Sequence, residues 1–202
     1  MCKISKWIAI ILLATLSPAL DQKAFPAQPF TKLENCHLIP NKSNDGDSFH
    51  VKYEDKEFLF RLYFVDTAES ETDGQVAERV KEQAAYFGIT EEQSIRLGKE
   101  AAKFTADQLS GSFTVFTRWR DALGRSKLQR FYAVVMVGND DLAQVLVKNG
   151  MARIYGTRTP LPDGSDSRSY LGKLKVLEDE AKKKKVGGWN RANSLLRQTS
   201  RF

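Results

Sequence analysis

Cysteine and histidine are both scarce, with two of each in 202 residues. So few histidines argue against enzymes built on His-rich metal centres or His-centred nucleophile triads. No uncharged apolar run reaches the ~18 residues that a membrane-spanning helix requires. Six prolines and 13 glycines are too few for a collagen-like or low-complexity chain, and no internal repeat is present. What is present is a 42% hydrophobic, 28% charged composition that fits a folded domain. Basic residues outnumber acidic ones 31 to 25, and the net charge of +6 suits a polyanionic partner.

The first residues read as a secretory signal. Lys3 and Lys6 lead into an apolar run from Trp7 to Leu16, and Ser17-Pro18-Ala19 supplies small residues for cleavage after Ala19. Residues 1–19 are therefore expected to be removed, giving a secreted or periplasmic protein with no membrane attachment. Taking Lys3 and Lys6 from the +6 total leaves +4. Cys2 leaves with the signal, so Cys36 stands alone and no internal disulfide is expected. Cys36 and His37 point to opposite faces of a strand, so Cys36 is read as a small, half-buried apolar residue rather than a nucleophile.

Residues 20–39 read as a tether and lead-in, with Pro26 and Pro29 in the tether at 20–33. Strand signals follow at Asp47 to Tyr53, Glu57 to Val65, Phe113 to Trp119, Arg130 to Val137 and Met151 to Tyr155. The first two form a hairpin about Glu54-Asp55-Lys56. Helical spacing of Val76, Val80, Ala84 and Phe87 predicts a helix behind an Asp73 cap, ended by Gly88. Thr90-Glu91-Glu92-Gln93 is a capping box opening a second helix. A third helix runs from about Asp141 to Asn149. A loop at 156–168 precedes a fourth helix, whose Lys182 to Lys185 suit a helix C-terminus. Antiparallel strand pairs exclude an all-parallel sheet, and a small curled β-barrel with three to four packed helices is the economical α+β solution.

The chemistry lies in separated stretches. Asp47 opens the first strong strand; Arg61 follows fourteen residues later, in mid-strand among apolar neighbours. Asp66, Thr67 and Glu69 come just beyond, and Gly124-Arg125 lies far downstream. In an antiparallel hairpin, Asp47 at the start of one strand approaches Asp66 at the end of the other. Two carboxylates and a backbone carbonyl make a hard-oxygen site for Ca²⁺ or Mg²⁺. Glu69 is placed to orient or deprotonate water, and Arg61 and Arg125 offer forked donors to a phosphate gaining charge. Metal, base and two arginines are what phosphodiester hydrolysis needs. His50 is read as a surface residue.

The order and spacing of Asp47, Arg61, Asp66-Thr67, Glu69 and Gly124-Arg125, with Glu180-Ala181-Lys182 and Gly188-Trp189 near the end, resemble the staphylococcal nuclease (thermonuclease) family over residues 40–191. That resemblance implies a five-stranded OB-fold barrel carrying a helical insertion at about 70–96, with 192–202 as a tail. It implies Ca²⁺-dependent endonucleolytic cleavage of DNA and RNA, on single or locally melted strands, leaving 3′-phosphate and 5′-hydroxyl ends. By the same resemblance, Asp47, Asp66 and the Thr67 carbonyl hold one calcium ion. Arg61, Glu69 and Arg125 are then the catalytic residues, in a monomer needing no protein partner.

The chain departs from the family at Ala68, where proline is frequent, and at Ala122-Leu123, where the family has lysine-tyrosine. It also departs at Gly156 and Arg158, where the family's paired tyrosines would fall, which leaves Tyr155 or Trp119 for base stacking. The alternative function is a non-catalytic OB-fold binding single strands or another polyanion. A third reading is an extracellular interaction module that uses the inserted helix as a partner surface.

Overall fold

The computed structural model describes residues 28–190 apart from 73, 75 and 125. The signal peptide, most of the tether, the Asp73 cap, Arg125 and the 192–202 tail therefore lie outside the described residues. The chain forms β1 (Thr31–Leu38), β2 (Ser48–Tyr53), β3 (Lys56–Leu62), β4 (Val65–Thr67), α1 (Ala77–Phe87), α2 (Glu91–Gln108) and β5 (Phe113–Asp121). It continues through β6 (Arg130–Val137), β7 (Asp140–Asp141), α3 (Leu142–Lys148), β8 (Ala152–Ile154) and α4 (Ser167–Lys184). A further helical turn begins at 188–190.

Strands β3, β2, β1, β5 and β6 lie side by side in that order, and β3 pairs with β6 in parallel, closing a five-stranded barrel. Closure removes the exposed strand edges. The barrel expectation holds, with two corrections to its parts. The segment read as tether and lead-in contributes β1, which sits in mid-barrel between β2 and β5. The Met151–Tyr155 strand lies outside the barrel: its β8 pairs with β4 in a separate two-stranded ribbon.

The expected single strand from Glu57 to Val65 also breaks. Phe64 takes φ of 69°, a left-handed conformation rare for a bulky residue, and the chain turns there between β3 and β4. The tertiary setting outweighs that local cost. Phe64 is fully buried, its ring lies 4.6 Å from that of Tyr170, and its backbone bonds Thr157 and Tyr155.

Inward-facing Phe49, Val51, Phe60, Leu62, Val115 and Val135 fill the barrel, and Leu142, Leu146 and Leu174 cover one end of the same core. A second apolar cluster joins Ala84 and Phe87 of α1 to Leu97 of α2, with Trp189 against it. Helix α1 ends at Gly88 and α2 opens with the Thr90–Gln93 capping box, as the sequence predicts, but α1 starts behind Val76, which gives no side-chain cap, and not behind the expected Asp73. Cys36 is wholly buried rather than half-buried, and burial lifts its thiol pKa to about 11. His50 is buried too, contrary to the surface expectation. Its Nδ1 lies 2.6 Å from Glu57 and its Nε2 3.2 Å from Ser43, partners that loop and hairpin bring over it.

Candidate active site

Hairpin register sets the first contacts. Arg61 lies opposite Ser48 across β2 and β3, one residue from Asp47. Its Nη2 donates to Asp47 Oδ2 at 3.1 Å and to Asp66 Oδ1 at 2.7 Å. The backbone N–H of Thr67 also donates to Asp47 Oδ2, at 3.1 Å. Asp47, Arg61, Asp66 and Thr67, far apart in sequence, thus meet in one network. Glu69 joins it at the rim, with its side chain one-fifth exposed.

Glycine makes the approach possible. A Cβ at Gly46 would stand 2.6 Å from Thr67 Cγ2, and one at Gly98 would stand 2.3 Å from the Glu69 carbonyl oxygen. The Asp-Gly turn before β2 and the α2 helix can therefore press on the 66–69 segment from two sides.

Three residues of this network were not singled out in the sequence. Arg153 is the cross-strand partner of Asp66 between β4 and β8, and its Nε donates to Asp66 Oδ2 at 2.8 Å. Arg79 and Gln83, four residues apart on α1, share one helix face. Arg79 Nη2 lies 2.7 Å from Asp66 Oδ1, and its Nη1 lies 2.8 Å from Glu69 Oε1. Gln83, fully buried, donates from Nε2 to Asp66 Oδ2 and to the Thr67 carbonyl, each at 2.9 Å. Its Oε1 accepts from the Glu69 N–H. Only the pairing of a short ribbon and the docking of α1 reveal these residues, and neither leaves a local signature. The inserted helix therefore packs on α2 and also reaches into the acidic cluster.

Arg130 approaches from β6. Its Nη1 donates to Ser48 Oγ at 3.1 Å and its Nε to the Leu123 carbonyl at 2.9 Å.

Electrostatics separates the carboxylates. Burial pushes Asp66 upward, but Arg79, Gln83, Arg61 and Arg153 outweigh it and hold the carboxyl below its usual range. Glu69 is raised, chiefly by burial, with the Asp47 and Asp66 charges adding to it against the pull of Arg79. Arg61 is held firmly protonated, above all by Asp47. Carboxyls pushed apart in this way divide into a fixed anion and a proton acceptor.

The oxygen donors match calcium in kind. Their arrangement does not match it. Both Asp66 oxygens, Asp47 Oδ2, the Thr67 carbonyl and Glu69 Oε1 already take N–H donors. Among the described residues, no three carboxylate, thiol or imidazole groups gather as ligands would.

A cavity of about 430 Å³, sharing no residue with the network, is lined by Tyr63, Arg118, Trp119, Arg120, Arg158 and Thr159, among others. None of the three arginines has a carboxylate partner among the described residues. The Arg118 guanidinium lies 4.3 Å from the centre of the Phe30 ring, and its buried Nε has no hydrogen-bond partner. The stacked rings of Tyr63 and Tyr132, 4.9 Å apart, link this pocket to Arg61. Trp119 packs by edge and tilt on Phe58, Phe60 and Phe131, whereas Tyr155 is more than half exposed beneath the Arg153 guanidinium. A larger cavity, about 510 Å³ between β6, α3 and α4, shares no residue with the acidic cluster.

Comparison with curated proteins finds no significant match. The family model described as staphylococcal nuclease homologue matches residues 59–191, from β3 through the end of α4. With most of the chain matched and the closed barrel in place, this protein belongs to the staphylococcal nuclease homologue family.

Proposed function

We propose that this protein is a secreted, monomeric nuclease that hydrolyses phosphodiester bonds of DNA and RNA. The observation that carries the reading is the convergence of Asp47, Asp66, Glu69 and Arg61 in one network. A scissile phosphate enters against Arg61, whose guanidinium offers paired donors to oxygens that gain charge in the transition state. Glu69, at the solvent rim with its pKa raised, takes the proton of the attacking water. The new bond joins water oxygen to phosphorus. The P–O5′ bond breaks, O5′ leaves with a proton from solvent, and the ends are 3′-phosphate and 5′-hydroxyl. Arg125, on the β5–β6 connection, is the second guanidinium of this scheme. The family resemblance adds dependence on one calcium ion. Asp47, Asp66 and the Thr67 carbonyl would take the ion once freed of their present donors.

The flanking strand lies across Tyr63 and Tyr132 into the arginine pocket, which takes the place of the stacking tyrosines that the family resemblance calls for. A second reading, strand binding without cleavage, has its support in the acidic oxygens already being satisfied internally. The deciding experiment incubates purified protein and Glu69→Gln with single- and double-stranded DNA and RNA, in Ca²⁺, Mg²⁺ or chelator. Cleavage by wild type that falls by about 10²–10⁴-fold in Glu69→Gln, as expected for loss of a general base, supports the hydrolase. Intact but gel-shifted nucleic acid under every condition supports the binding module instead.

A further inference from the structure

The oxygens that a cation would collect are taken by the chain itself. Asp47 Oδ2 accepts from Arg61 and from the Thr67 N–H, and its Oδ1 accepts from the Ser48 hydroxyl at 3.2 Å. Asp66 Oδ1 accepts from Arg61 and Arg79, and its Oδ2 from Gln83 and Arg153. Gln83 also holds the Thr67 carbonyl, and Arg79 holds Glu69. Withdrawal of Arg79, the most exposed donor, still leaves every Asp47 and Asp66 oxygen with a partner. Opening the site further would strand Arg61 or Arg153, whose side chains are only 15% and 6% exposed. A buried charge deprived of its partner is strongly destabilising.

Charge is matched as well. Asp47, Asp66 and Glu69 face Arg61, Arg79 and Arg153, three anions against three cations. Carboxylates this close repel one another unless a cation stands between them, and here guanidiniums stand there. The cluster therefore does not fit a divalent ion. The work such an ion performs, drawing in a phosphate and meeting its growing charge, falls to groups already in place. Two of the three guanidiniums are placed to do it. Arg61 spends only Nη2 on carboxylates, and its Nε and Nη1 take no partner among the described residues. Arg79 reaches in from a surface helix with its side chain 41% exposed, spending Nη1 and Nη2 and keeping Nε. Arg153 is fastened by the β4–β8 pairing and serves as the fixed counter-charge of Asp66.

We propose that Arg61 and Arg79 are the electrophilic pair of this site, held in place by Asp47, Asp66 and Glu69, and that phosphodiester cleavage here proceeds without a bound divalent ion. The proposal rests on the nuclease reading of the same cluster and replaces the calcium requirement that the family resemblance adds to it. It makes Arg79, on the inserted helix, a catalytic residue. Water gives a proton to Glu69 as its oxygen bonds to phosphorus. The charge growing on the non-bridging oxygens is met by N–H donors of Arg61 and Arg79. The P–O5′ bond then breaks, and O5′ takes a proton from solvent. Guanidiniums suit this part because they stay protonated and present several donors in a fixed plane.

Cleavage of a labelled DNA strand, which has no 2′-hydroxyl to attack its own backbone, tests this with protein stripped of metal by chelator. Glu69→Gln purified in the same way exposes any contaminating nuclease. Wild type is expected to cleave in chelator as fast as in calcium or magnesium chloride, and calcium is expected to leave its melting temperature unchanged. Arg79→Ala, first checked for a cooperative melt, is expected to lose about 10²–10³-fold of the rate in chelator, the cost of one transition-state donor. Millimolar guanidinium chloride is expected to restore part of that loss, because the site of Arg79 is open to solvent; a lost packing contact would show no such rescue. Arg79→Lys, which keeps the charge without the fork, is expected to be intermediate, and it replaces the alanine variant if that one does not fold. Cleavage in calcium that stops in chelator, or a melting temperature raised by calcium, overturns the proposal and leaves the hydrolase standing. Metal-free cleavage unchanged in Arg79→Ala overturns the assignment of Arg79. No cleavage by wild type under any condition removes the hydrolase and this proposal with it.

Discussion

Asp66 has no exposed surface and takes four donors on its two oxygens, three of them charged. Exchange for asparagine removes the charge that Arg61 and Arg153 were buried to meet. Breaking a buried pair from one side costs about 3–5 kcal/mol, so Asp66→Asn should lower the urea midpoint with an unchanged slope. The pH dependence follows from the direction of each shift. Asp66 lies below its ordinary 3.8, so the folded state binds fewer protons there than the unfolded chain. Its contribution is complete above the ordinary value and is lost as pH falls through the folded one. Glu69 lies above its ordinary 4.5 and acts oppositely, withdrawing stability as pH rises through that window. The gap in unfolding free energy between wild type and Asp66→Asn should therefore be constant above about pH 5 and narrow progressively as pH falls below the ordinary value toward the depressed folded one. A gap that widens as pH falls below the ordinary carboxylate range would mean that Asp66 is not the titrating anchor.

At the scale of elements, legibility tracked how local the deciding interaction is. The capping box at Thr90 and the glycine stop at Gly88 act within a few residues, and α2 starts and α1 stops where their sequences say. Strand β6 matches its apolar run from end to end. The first strand was obscured because Thr31–Leu38 mixes charged and apolar residues and carries an irregularity near Asn35, whose φ is 56°. Only its two neighbours make it a central strand. The break at Phe64 has no glycine to announce it. In the site, Asp47, Arg61 and Asp66 were legible because one hairpin relates them. Arg153 and the α1 pair were not, because they arrive through contacts spanning 13 to 87 residues. The close seat of α2 on the active loop gives a test at this scale. Gly98→Ala favours the isolated helix by about 1 kcal/mol, yet the new methyl group would meet the Glu69 carbonyl. Overpacking of that kind costs about 1–3 kcal/mol. The variant should melt lower than wild type, keep its helical circular dichroism and lose turnover. A raised melting temperature would show that α2 does not press on the loop.

Over the whole molecule, charge is sorted by place. The net charge of +6 conceals an acidic cluster clamped by arginines and, past the Tyr63–Tyr132 stack, a pocket whose arginines lack such clamps. Carboxylates with their own counter-ions do not repel a polyanion strongly, and unpaired guanidiniums attract it, so the molecule presents a cationic face despite its acidic centre. Phosphate contacts release counterions, and for single strands the logarithm of affinity falls with the logarithm of salt by roughly 0.7 per contact. If Arg118, Arg120 and Arg158 each meet one phosphate, replacing all three with alanine should reduce that slope by about 2. Fluorescence anisotropy with labelled single-stranded DNA, in Glu69→Gln and chelator to prevent cleavage, measures it. The substitutions should weaken binding most at low salt, where counterion release contributes most. They should lower the melting temperature only slightly, through loss of the Arg118 contact with the Phe30 ring. An unaltered slope would move the strand path away from this pocket and return the exposed Tyr155 as the platform to test.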